Sequence, residues 1–344
     1  MSEKSERIAI AGATSLLGKE LAEELQQGAF AAATVILLDE GEAEGKLEEV
    51  ADEVTFIQKI EAAAFEGADY VFFCGSAEMA KENAAHARAT GAAIVDLTYA
   101  LEGERGSLVR SPLLQEGVTS GPDLDTRAVV SAHPAAIALA LVAHRLQSHL
   151  KVRSLAATVL LPASEHGRGA MDELHQQTVN LLSFQSQPKE QFDAQVAFNL
   201  LPSFGNDAKF SLATGAARIR DHYNTLGGGQ LPGLALQIIQ APVFHALGIS
   251  LLVEFNTAIA QGEIESALGC DQIDIVMDEA DPPTNLSAAG QPDILARVNS
   301  EPPNATQGTR FWIWLTADNL KLATSNAVAC AQELKKLRPS GTVQ

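Results

Sequence analysis

A turn between two glycines is the first candidate for a functional site. An apolar segment at 8–10 leads into Gly12, Gly18 follows five intervening residues later, and leucines then recur every fourth residue. A strand that enters a helix through such a turn offers backbone N–H groups and the positive end of a helix dipole to an anion. The turn therefore predicts a site for the pyrophosphate of a dinucleotide, with a tight turn that binds nothing as the alternative. The predicted binding residues are Gly12, Thr14, Ser15, Leu16, Leu17 and Gly18.

An acidic stretch follows the next apolar segment. Asp39 comes about twenty residues after Gly18, where a carboxylate accepts hydrogen bonds from ribose hydroxyl groups. Glu40, Glu42 and Glu44 follow it. These charges would repel the additional phosphate of NADP. NADP is therefore disfavoured and NAD remains possible, while a solvated acidic loop is the alternative.

The cysteines do not suggest a second site. Cys74, Cys270 and Cys330 are widely spaced and match neither a zinc pattern nor a disulfide framework. We expect Cys74 and Cys330 to be small buried residues. Cys270 follows a glycine in a predicted turn and has no histidine near it in sequence.

Polar groups elsewhere could replace a nucleophile or a base. Ser164, Glu165 and His166 are the residue types of a catalytic triad, but adjacent side chains point in different directions. His133 and His245 could hold a ligand or a proton, although bonding to the local backbone is the favoured alternative. No two histidines have the helical spacing of three or four residues, so we do not predict a metal site.

The elements that would position these residues change character along the chain. Strands are predicted at 8–10, 35–38, 70–73 and 94–96, with an alanine-rich helix at about 77–90 between the last two. Alternating strands and helices predict a parallel sheet with right-handed crossovers.

Beyond about residue 150 the pattern differs. Strands at 155–161, 234–240, 248–255 and 311–316 are accompanied by helices at about 169–182 and 215–225, which predicts an α+β domain with a mostly antiparallel sheet. A last amphipathic helix is predicted at 318–337.

Composition limits the class of protein. The chain has 344 residues, 46% of them hydrophobic, which is enough for two domains with separate cores. A net charge of −19 argues against nucleic acid or an anionic membrane as a partner. Residues 1–7 lack the apolar core of a signal peptide, and the longest apolar run, 134–143, is about half of a membrane span. We expect a cytoplasmic protein.

Several segments resemble motifs of the aspartate-semialdehyde dehydrogenase family. VSAHPAAIA at 130–138 resembles N-P-N-C-[ST]-T, and the glycine turn resembles G-A-T-G-x-V-G with Ser15 replacing the middle glycine. FNLLPSFG at 198–205 resembles F-N-x-I-P-x-I-G, and QAPVFHAL at 240–247 resembles R-V-P-V-x-x-G-H. Residues 317–321, continuing to 326–328, resemble A-D-N-L-R-K-G-A-A-x-N-A-V.

The resemblance covers nearly the whole chain and implies a two-part fold. It implies a Rossmann-like, parallel-sheet nucleotide domain at 1–130 with 318–344. It also implies an α+β dimerisation-type domain with a mostly antiparallel sheet at 131–317. Family members are homodimers, and the asparagine matching Asn326 lies near the nicotinamide.

The chain departs from the family where the chemistry occurs. The resemblance places the nucleophilic cysteine on Ala136, the acid–base histidine on Leu247 and the substrate-binding arginine on Gln240. The glutamine of Q-A-V-S-G-A-G falls on Leu160, and the arginine of A-F-R falls on Glu102. These changes predict that the family's reaction is lost, so no residue is predicted to be catalytic, and the pattern is similar to that of the Usg-type members of the family.

Three hypotheses follow from this pattern. The first is a dimeric homologue whose nucleophile and base are replaced and which still binds NAD. The second is an active NAD-dependent oxidoreductase of the family that acts on another substrate in amino-acid biosynthesis by direct hydride transfer. The third is a regulatory subunit that forms a mixed dimer with an active dehydrogenase.

Overall fold

The chain folds into two compact units. The computed structural model describes residues 5–41, 45, 47–50, 53–114, 121–278, 280–303 and 305–337. Unit 1 consists of Met1–Ala132 with Ala323–Gln344, and unit 2 of His133–Leu322. Glu42 and Glu44, two of the predicted acidic residues, lie outside the described residues.

Unit 1 contains a parallel sheet, as predicted. Its elements are β1 (Arg7–Ala11), α1 (Leu16–Glu24), β2 (Thr34–Asp39), β3 (Leu47–Val50), β4 (Glu53–Phe56), β5 (Gln58–Lys59), β6 (Tyr70–Phe73), α2 (Ala77–Ala89), β7 (Ala93–Asp96), β8 (Ser107–Arg110) and β9 (Ala128–Ser131). Seven strands pair in parallel in the order β5-β2-β1-β6-β7-β9-β8, whereas β3 and β4 pair with each other in an antiparallel hairpin.

The inner strands β6 and β7 of the seven-stranded sheet are mostly apolar because both faces of the sheet are covered there. All four residues of β6 and of β7 are buried. One face packs against α1, through residues such as Leu21, and the other against α2, through Ala80 and Ala84. The small side chains of α2 let its backbone lie close to the sheet, which explains the alanine-rich sequence.

Unit 2 contains a mixed sheet. Its elements are α3 (Pro134–His149), β10 (Val152–Leu161), α4 (Arg168–Leu182), α5 (Leu212–Gly227), β11 (Leu234–Gln240), β12 (Leu247–Ile259), α6 (Gln261–Leu268), β13 (Ile273–Ile275), α7 (Asn285–Ala288), β14 (Ile294–Glu301) and β15 (Gly308–Ala317). The strand order is β11-β10-β12-β15-β14-β13. Three of the five pairings are antiparallel, and β10–β11 and β13–β14 are parallel.

Two helices border the change from one unit to the other. The apolar run at 134–143 belongs to α3, which begins with Pro134 at its first turn and is capped by His133. The predicted last helix is confirmed as α8 (Asn319–Leu337), and Asp318 caps it by accepting hydrogen bonds from the N–H groups of Leu320 and Lys321. Among the described residues, no helix is long and apolar enough to cross a lipid bilayer.

Candidate functional site

The glycine turn (residues 12–18) is held by two close backbone contacts. Gly12 has φ +87°, and a Cβ atom there would lie 2.2 Å from the backbone nitrogen of Gly75. A Cβ atom on Gly18 would lie 2.3 Å from the carbonyl oxygen of Gly12. Only glycine fits at either position, because backbone atoms cannot move aside as a flexible side chain can. The turn therefore lies in close contact with Gly75, which follows β6, on one side and with the first turn of α1 on the other.

Ser15 caps α1. Its hydroxyl oxygen accepts a hydrogen bond from the N–H of Gly18 at 2.9 Å and its hydroxyl donates to the carbonyl oxygen of Cys74 at 2.8 Å. The side chain therefore has a structural role in the turn, as N-cap residues of this type do.

Most N–H groups of the glycine turn have partners inside unit 1. Gly12 and Ala13 both donate to the carbonyl oxygen of Leu38, and Ser15 donates to that of Gly12. The first i→i−4 bond of α1 runs from Lys19 to Ser15. The N–H groups of Leu16 and Leu17 precede that bond, so by position they are the donors that a helix start leaves for an anion.

Asp39 lies at the end of β2 and bonds to the glycine turn. Its Oδ2 atom accepts hydrogen bonds from the N–H of Thr14 at 2.7 Å and from the Thr14 hydroxyl at 2.6 Å. Its Oδ1 atom accepts from the N–H of Glu40 at 2.8 Å. The Asp39 carboxylate, which the sequence predicts to bind a ribose, is therefore hydrogen-bonded to Thr14 of the glycine turn in this structure.

Asn326 is fully buried in α8 and keeps one polar atom unpaired. Its Nδ2 group donates to the carbonyl oxygen of Arg110 at 3.1 Å and to the hydroxyl of Ser131 at 2.9 Å. Its Oδ1 atom has no hydrogen-bond partner among the described residues. A buried acceptor without a donor costs free energy, so such an atom indicates a place where a ligand group can donate.

Unit 2 has a buried polar cluster centred on Glu165. The Glu165 cluster consists of His133, Glu165, His166, His222, Gln240 and Asn319. Glu165 Oε1 lies 2.8 Å from His133 Nε2, and its Oε2 accepts a long bond of 3.4 Å from Asn319. Burial alone would raise the pKa of Glu165, but the neighbouring imidazoles and the hydrogen bonds from His133 and Asn319 lower the pKa to about 2. Glu165 is therefore ionised at neutral pH.

The hydrogen bonds of His133 define which of its nitrogens carries a proton. Its Nδ1 atom accepts the N–H of Ala135 at 3.1 Å, which makes His133 the cap of α3. Nε2–H consequently donates a hydrogen bond to the Glu165 carboxylate. The backbone N–H of His133 donates to His222 Nδ1 at 2.9 Å. His133 is thus bonded to local backbone, as favoured from sequence, and also to Glu165.

Gln240, at the end of β11, fixes the orientation of His166. The Gln240 amide group donates to the carbonyl oxygens of Leu161 at 3.0 Å and Ala241 at 3.1 Å. Its Oε1 atom therefore faces His166 Nε2, at 3.0 Å, and accepts a hydrogen bond from the Nε2–H group. Both of these donor bonds of Gln240 therefore go to the protein backbone.

Ala136 and Leu247, on which the resemblance places the nucleophile and the base, are buried alkyl side chains. Ala136 lies in the first turn of α3 and Leu247 begins β12; both are 0% exposed. Leu160 is partly buried on β10, and Glu102 lies partly exposed after β7. Neither an alanine methyl group nor a leucine side chain can form a covalent intermediate or transfer a proton.

The contiguous Ser164-Glu165-His166 segment does not form a triad. Ser164 donates to Asn319 at 3.0 Å, Glu165 bonds to His133, and His166 bonds to Gln240. Each side chain has a different partner, as the sequence indicated. Among the described residues, no group of three histidine, cysteine, aspartate or glutamate side chains could hold a metal ion.

The sequence reasoning missed the Glu165 cluster as a unit. His133, Glu165 with His166, and Gln240 lie in three separate segments that resemble family motifs, and each introduces a polar side chain that differs from its motif. These three differences from the motifs were the signal in the sequence that could have identified the cluster. The pairing of these residues across 32 and 74 positions required the structure.

Both units match family models. Residues 7–112 match the NAD-binding domain of semialdehyde dehydrogenase, and residues 144–322 match the semialdehyde dehydrogenase dimerisation domain. The second match alone spans more than half of the chain.

Individual relatives cover almost the full length. The chain is 29% identical to a USG-1 protein homolog of Azotobacter vinelandii, over 96% of this chain and 97% of the relative. It is 25% identical to an aspartate-semialdehyde dehydrogenase of Rickettsia conorii, over 96% and 98%. The solved structure of a probable aspartate-semialdehyde dehydrogenase from Pseudomonas aeruginosa superimposes with a TM-score of 0.86 at 26% identity, covering 97% of this chain and 99% of that one. The chain belongs to the semialdehyde dehydrogenase family.

Proposed function

We propose that this protein is a dimeric, NAD-binding semialdehyde dehydrogenase homologue that does not form the family's thioester. The observation that carries the proposal is the full burial of Ala136 and Leu247 at the positions of the nucleophile and the base. Loss of either group in a covalent mechanism typically lowers the rate by several orders of magnitude.

The cysteines of unit 1 do not substitute for the missing thiol. Burial raises the pKa of Cys74, and the charge of Asp96 raises it further. Burial also raises the pKa of Cys330, with a contribution from Glu333. Both thiols stay protonated at neutral pH, and the protonated form is a poor nucleophile.

Several residues of unit 1 fit a dinucleotide. The close glycine contacts shape a turn next to the free donors of Leu16 and Leu17, which would hold the pyrophosphate. Asp39 would accept from a ribose, and the unpaired Oδ1 of Asn326 would accept from the nicotinamide carboxamide. NAD bound there would supply a hydride acceptor.

Charge favours NAD over NADP. Asp39 and Glu40 are adjacent at the end of β2, beside the turn that Thr14 connects to Asp39. A 2′-phosphate next to these carboxylates would be repelled, and its placement would require a cation instead.

The dimerisation-domain match supports a homodimer. The same match is compatible with a second assembly, a mixed dimer with an active dehydrogenase. Native mass measurement of the purified chain tests the first, and co-expression with an active family member tests the second. A monomer at micromolar concentration would contradict the proposed assembly.

The function is tested with purified protein, aspartate semialdehyde, phosphate and either cofactor. We expect no reduction of NAD or NADP above background, and calorimetric binding of NAD that is at least tenfold tighter than that of NADP. An aspartate-semialdehyde dehydrogenase from the family serves as the positive control. Turnover at the rate of that control, or no NAD binding at millimolar concentration, would defeat the proposal.

A further inference from the structure

A cavity of about 360 Å³ opens at the amino-terminal edge of the parallel sheet of unit 1. The end of α2 and the segments that precede β7 and β9 surround it, and its lining includes Arg88, Ala92, Leu124, Asp125, Thr126 and Arg127. These segments are neighbours because β7 and β9 pair in parallel, with Val95 opposite Val129. The glycine turn follows the carboxyl end of β1, at the opposite edge of the same sheet. The cavity is therefore separate from the predicted dinucleotide site.

Two side chains of opposite charge line this cavity without pairing to each other. Asp125 and Arg127 are exposed, and neither side chain forms an ion pair or a hydrogen bond with any described residue. The stem of Arg127 lies against Gly106, where an added Cβ atom would be 3.0 Å from Arg127 Cγ. The N–H of Arg127 donates to the carbonyl oxygen of Gly106 at 2.7 Å. Backbone contacts thus hold the stem, while the guanidinium group is available for an anion.

The segment before β9 fixes the position of Asp125. Asp123 Oδ1 accepts hydrogen bonds from the N–H of Asp125 at 3.0 Å and from the Thr126 hydroxyl at 2.9 Å. The N–H of Thr126 donates to the carbonyl oxygen of Asp123 at 3.2 Å. The Asp123 carboxylate is therefore used within the segment, whereas the Asp125 carboxylate lines the cavity and can accept from a cationic donor.

Arg88 brings a second guanidinium group with an unused donor. Its Nη2 atom pairs with Glu104 at 2.5 Å, whereas its Nε atom is shielded from solvent and has no hydrogen-bond partner among the described residues. A shielded donor without an acceptor costs free energy, so a ligand oxygen beside it would be stabilised. The two arginines are balanced by the carboxylates of Glu104 and Asp125. The site therefore suits a ligand that carries both charges and has no net charge.

Apolar surface adjoins these charges. Leu124 is 79% exposed and lines the cavity together with the buried Ala92. Covering an exposed leucine with an apolar group of a ligand removes hydrocarbon surface from water, which is favourable. The cavity also lies at the lower end of the range of roughly 300–1,000 Å³ that small-molecule sites occupy.

We propose that this cavity is a binding site for a free α-amino acid with an apolar side chain. The guanidinium group of Arg127 binds the carboxylate, the Asp125 carboxylate binds the ammonium group, and Leu124 contacts the side chain. A dicarboxylic amino acid is disfavoured, because the chain already carries a net charge of −19. The proposal goes beyond NAD binding and does not depend on it.

Calorimetric titration of the full chain with matched ligands tests the assignment. The ligands are L-leucine, 4-methylpentanoate, which lacks the ammonium group, 3-methylbutan-1-amine, which lacks the carboxylate, and inorganic phosphate. We expect a Kd of about 1 mM for leucine, the order that nine non-hydrogen atoms reach in an open cavity. The other three ligands should bind at least about tenfold more weakly, because each leaves one charged group of the site without its partner.

Two variants separate the two ends of the ligand. Arg127→Gln should weaken leucine binding at least about tenfold and leave the binding of 3-methylbutan-1-amine unchanged. Asp125→Asn should weaken the binding of leucine and of the amine but not of 4-methylpentanoate. A general structural defect would not give these opposite selectivities. Arg153→Gln removes the same charge from an exposed position of β10 in unit 2, and it should bind leucine within about twofold of wild type.

Three results would overturn the assignment: no binding of leucine at about 10 mM, binding of any of the other three ligands as tight as that of leucine, or an Arg127→Gln variant that binds leucine like wild type. NAD is titrated into the same samples. Leucine binding without NAD binding would contradict the proposed function alone, and NAD binding without leucine binding would contradict this assignment alone.

Discussion

The glycine turn of unit 1 and the Glu165 cluster of unit 2 place their polar groups by different means. In the turn, position is set by backbone, through a glycine whose Cβ atom would lie 2.2 Å from Gly75. In the cluster, position is set by side chains that bond to each other, such as Glu165 to His133 and His166 to Gln240. In a site that backbone contacts position, a side chain such as Ser15, which caps α1, has a supporting role.

A side-chain site changes its chemistry with each substitution. Within the cluster, an ionised carboxylate and two imidazoles lie near the Gln240 amide. Four substitutions test this difference between the two sites.

The largest effect is expected for Gly12→Ala. The new Cβ atom would collide with backbone, and the residue would also keep a positive φ of +87°. We expect a loss of about 3 kcal/mol or more in the free energy of unfolding, and loss of NAD binding. Scanning calorimetry and NAD titration measure these effects.

Gly91→Ala is the matched control, since its φ is +79° and nothing lies within 4 Å of the added atom. It should cost only about 1 kcal/mol. Equal costs for the two variants would show that the contact with Gly75 does not fix the turn.

A comparable effect, present at neutral pH and lost at low pH, is expected for Glu165→Gln. The pKa of Glu165 is about 2 in the folded protein and 4.5 ordinarily. Because the folded value is the lower one, the stabilisation is complete above pH 4.5 and is lost as the pH falls towards 2. The advantage of wild type over the variant should shrink by up to about 3 kcal/mol across that range. Denaturant titrations at several pH values measure it, and a constant difference would refute the ionised pairing.

An intermediate effect is expected for Gln240→Leu. The residue is 0% exposed, and its loss leaves the Nε2–H of His166 and the carbonyl oxygen of Ala241 without their amide partner. We expect a destabilisation of about 2 kcal/mol. Gln237→Leu, an exposed position of the same strand, should change the free energy of unfolding by less than about 0.5 kcal/mol. A neutral Gln240→Leu variant would mean that the amide is not needed to hold His166.

The smallest effect is expected for Ser15→Ala, which removes the cap of α1 and the bond to Cys74. Thermal unfolding should show a loss of about 1 kcal/mol. Ser76→Ala, which removes only the bond of the α2 cap to Met79, is the control. If Ser15→Ala cost less than Ser76→Ala, the bond to Cys74 would contribute nothing.

The sequence predicted the elements whose hydrophobic pattern fits only one type of secondary structure. Strands β6 and β11 were predicted at their observed bounds, because mostly apolar runs of this length between turn residues are typical of strands. Helix α3 was not predicted, because residues such as Ile137, Leu139 and Val142 are buried on all sides and leave no helical stripe. Strand β14 was missed because Ala296 and Ser300 fill buried positions where alternation would place large apolar residues.

The two candidate sites also differ in how much of their geometry could be predicted from the sequence. The glycine turn is contiguous, so its position could be predicted, but the bond from Thr14 to Asp39 spans 25 residues and could not. The Glu165 cluster depends on strand register and on the start of α3, neither of which is visible in residue types. Contacts of long sequence separation are thus what the structure added.

The two side-chain bonds of His133 restrict how this sequence can change. An asparagine in place of His133 would keep a helix cap but remove the Nε2–H donor from the Glu165 carboxylate. Changing Glu165 first would leave that donor unpaired. Either order passes through a less stable intermediate, because a buried polar group is left without its partner. His133 and Glu165 are therefore expected to change together rather than one at a time.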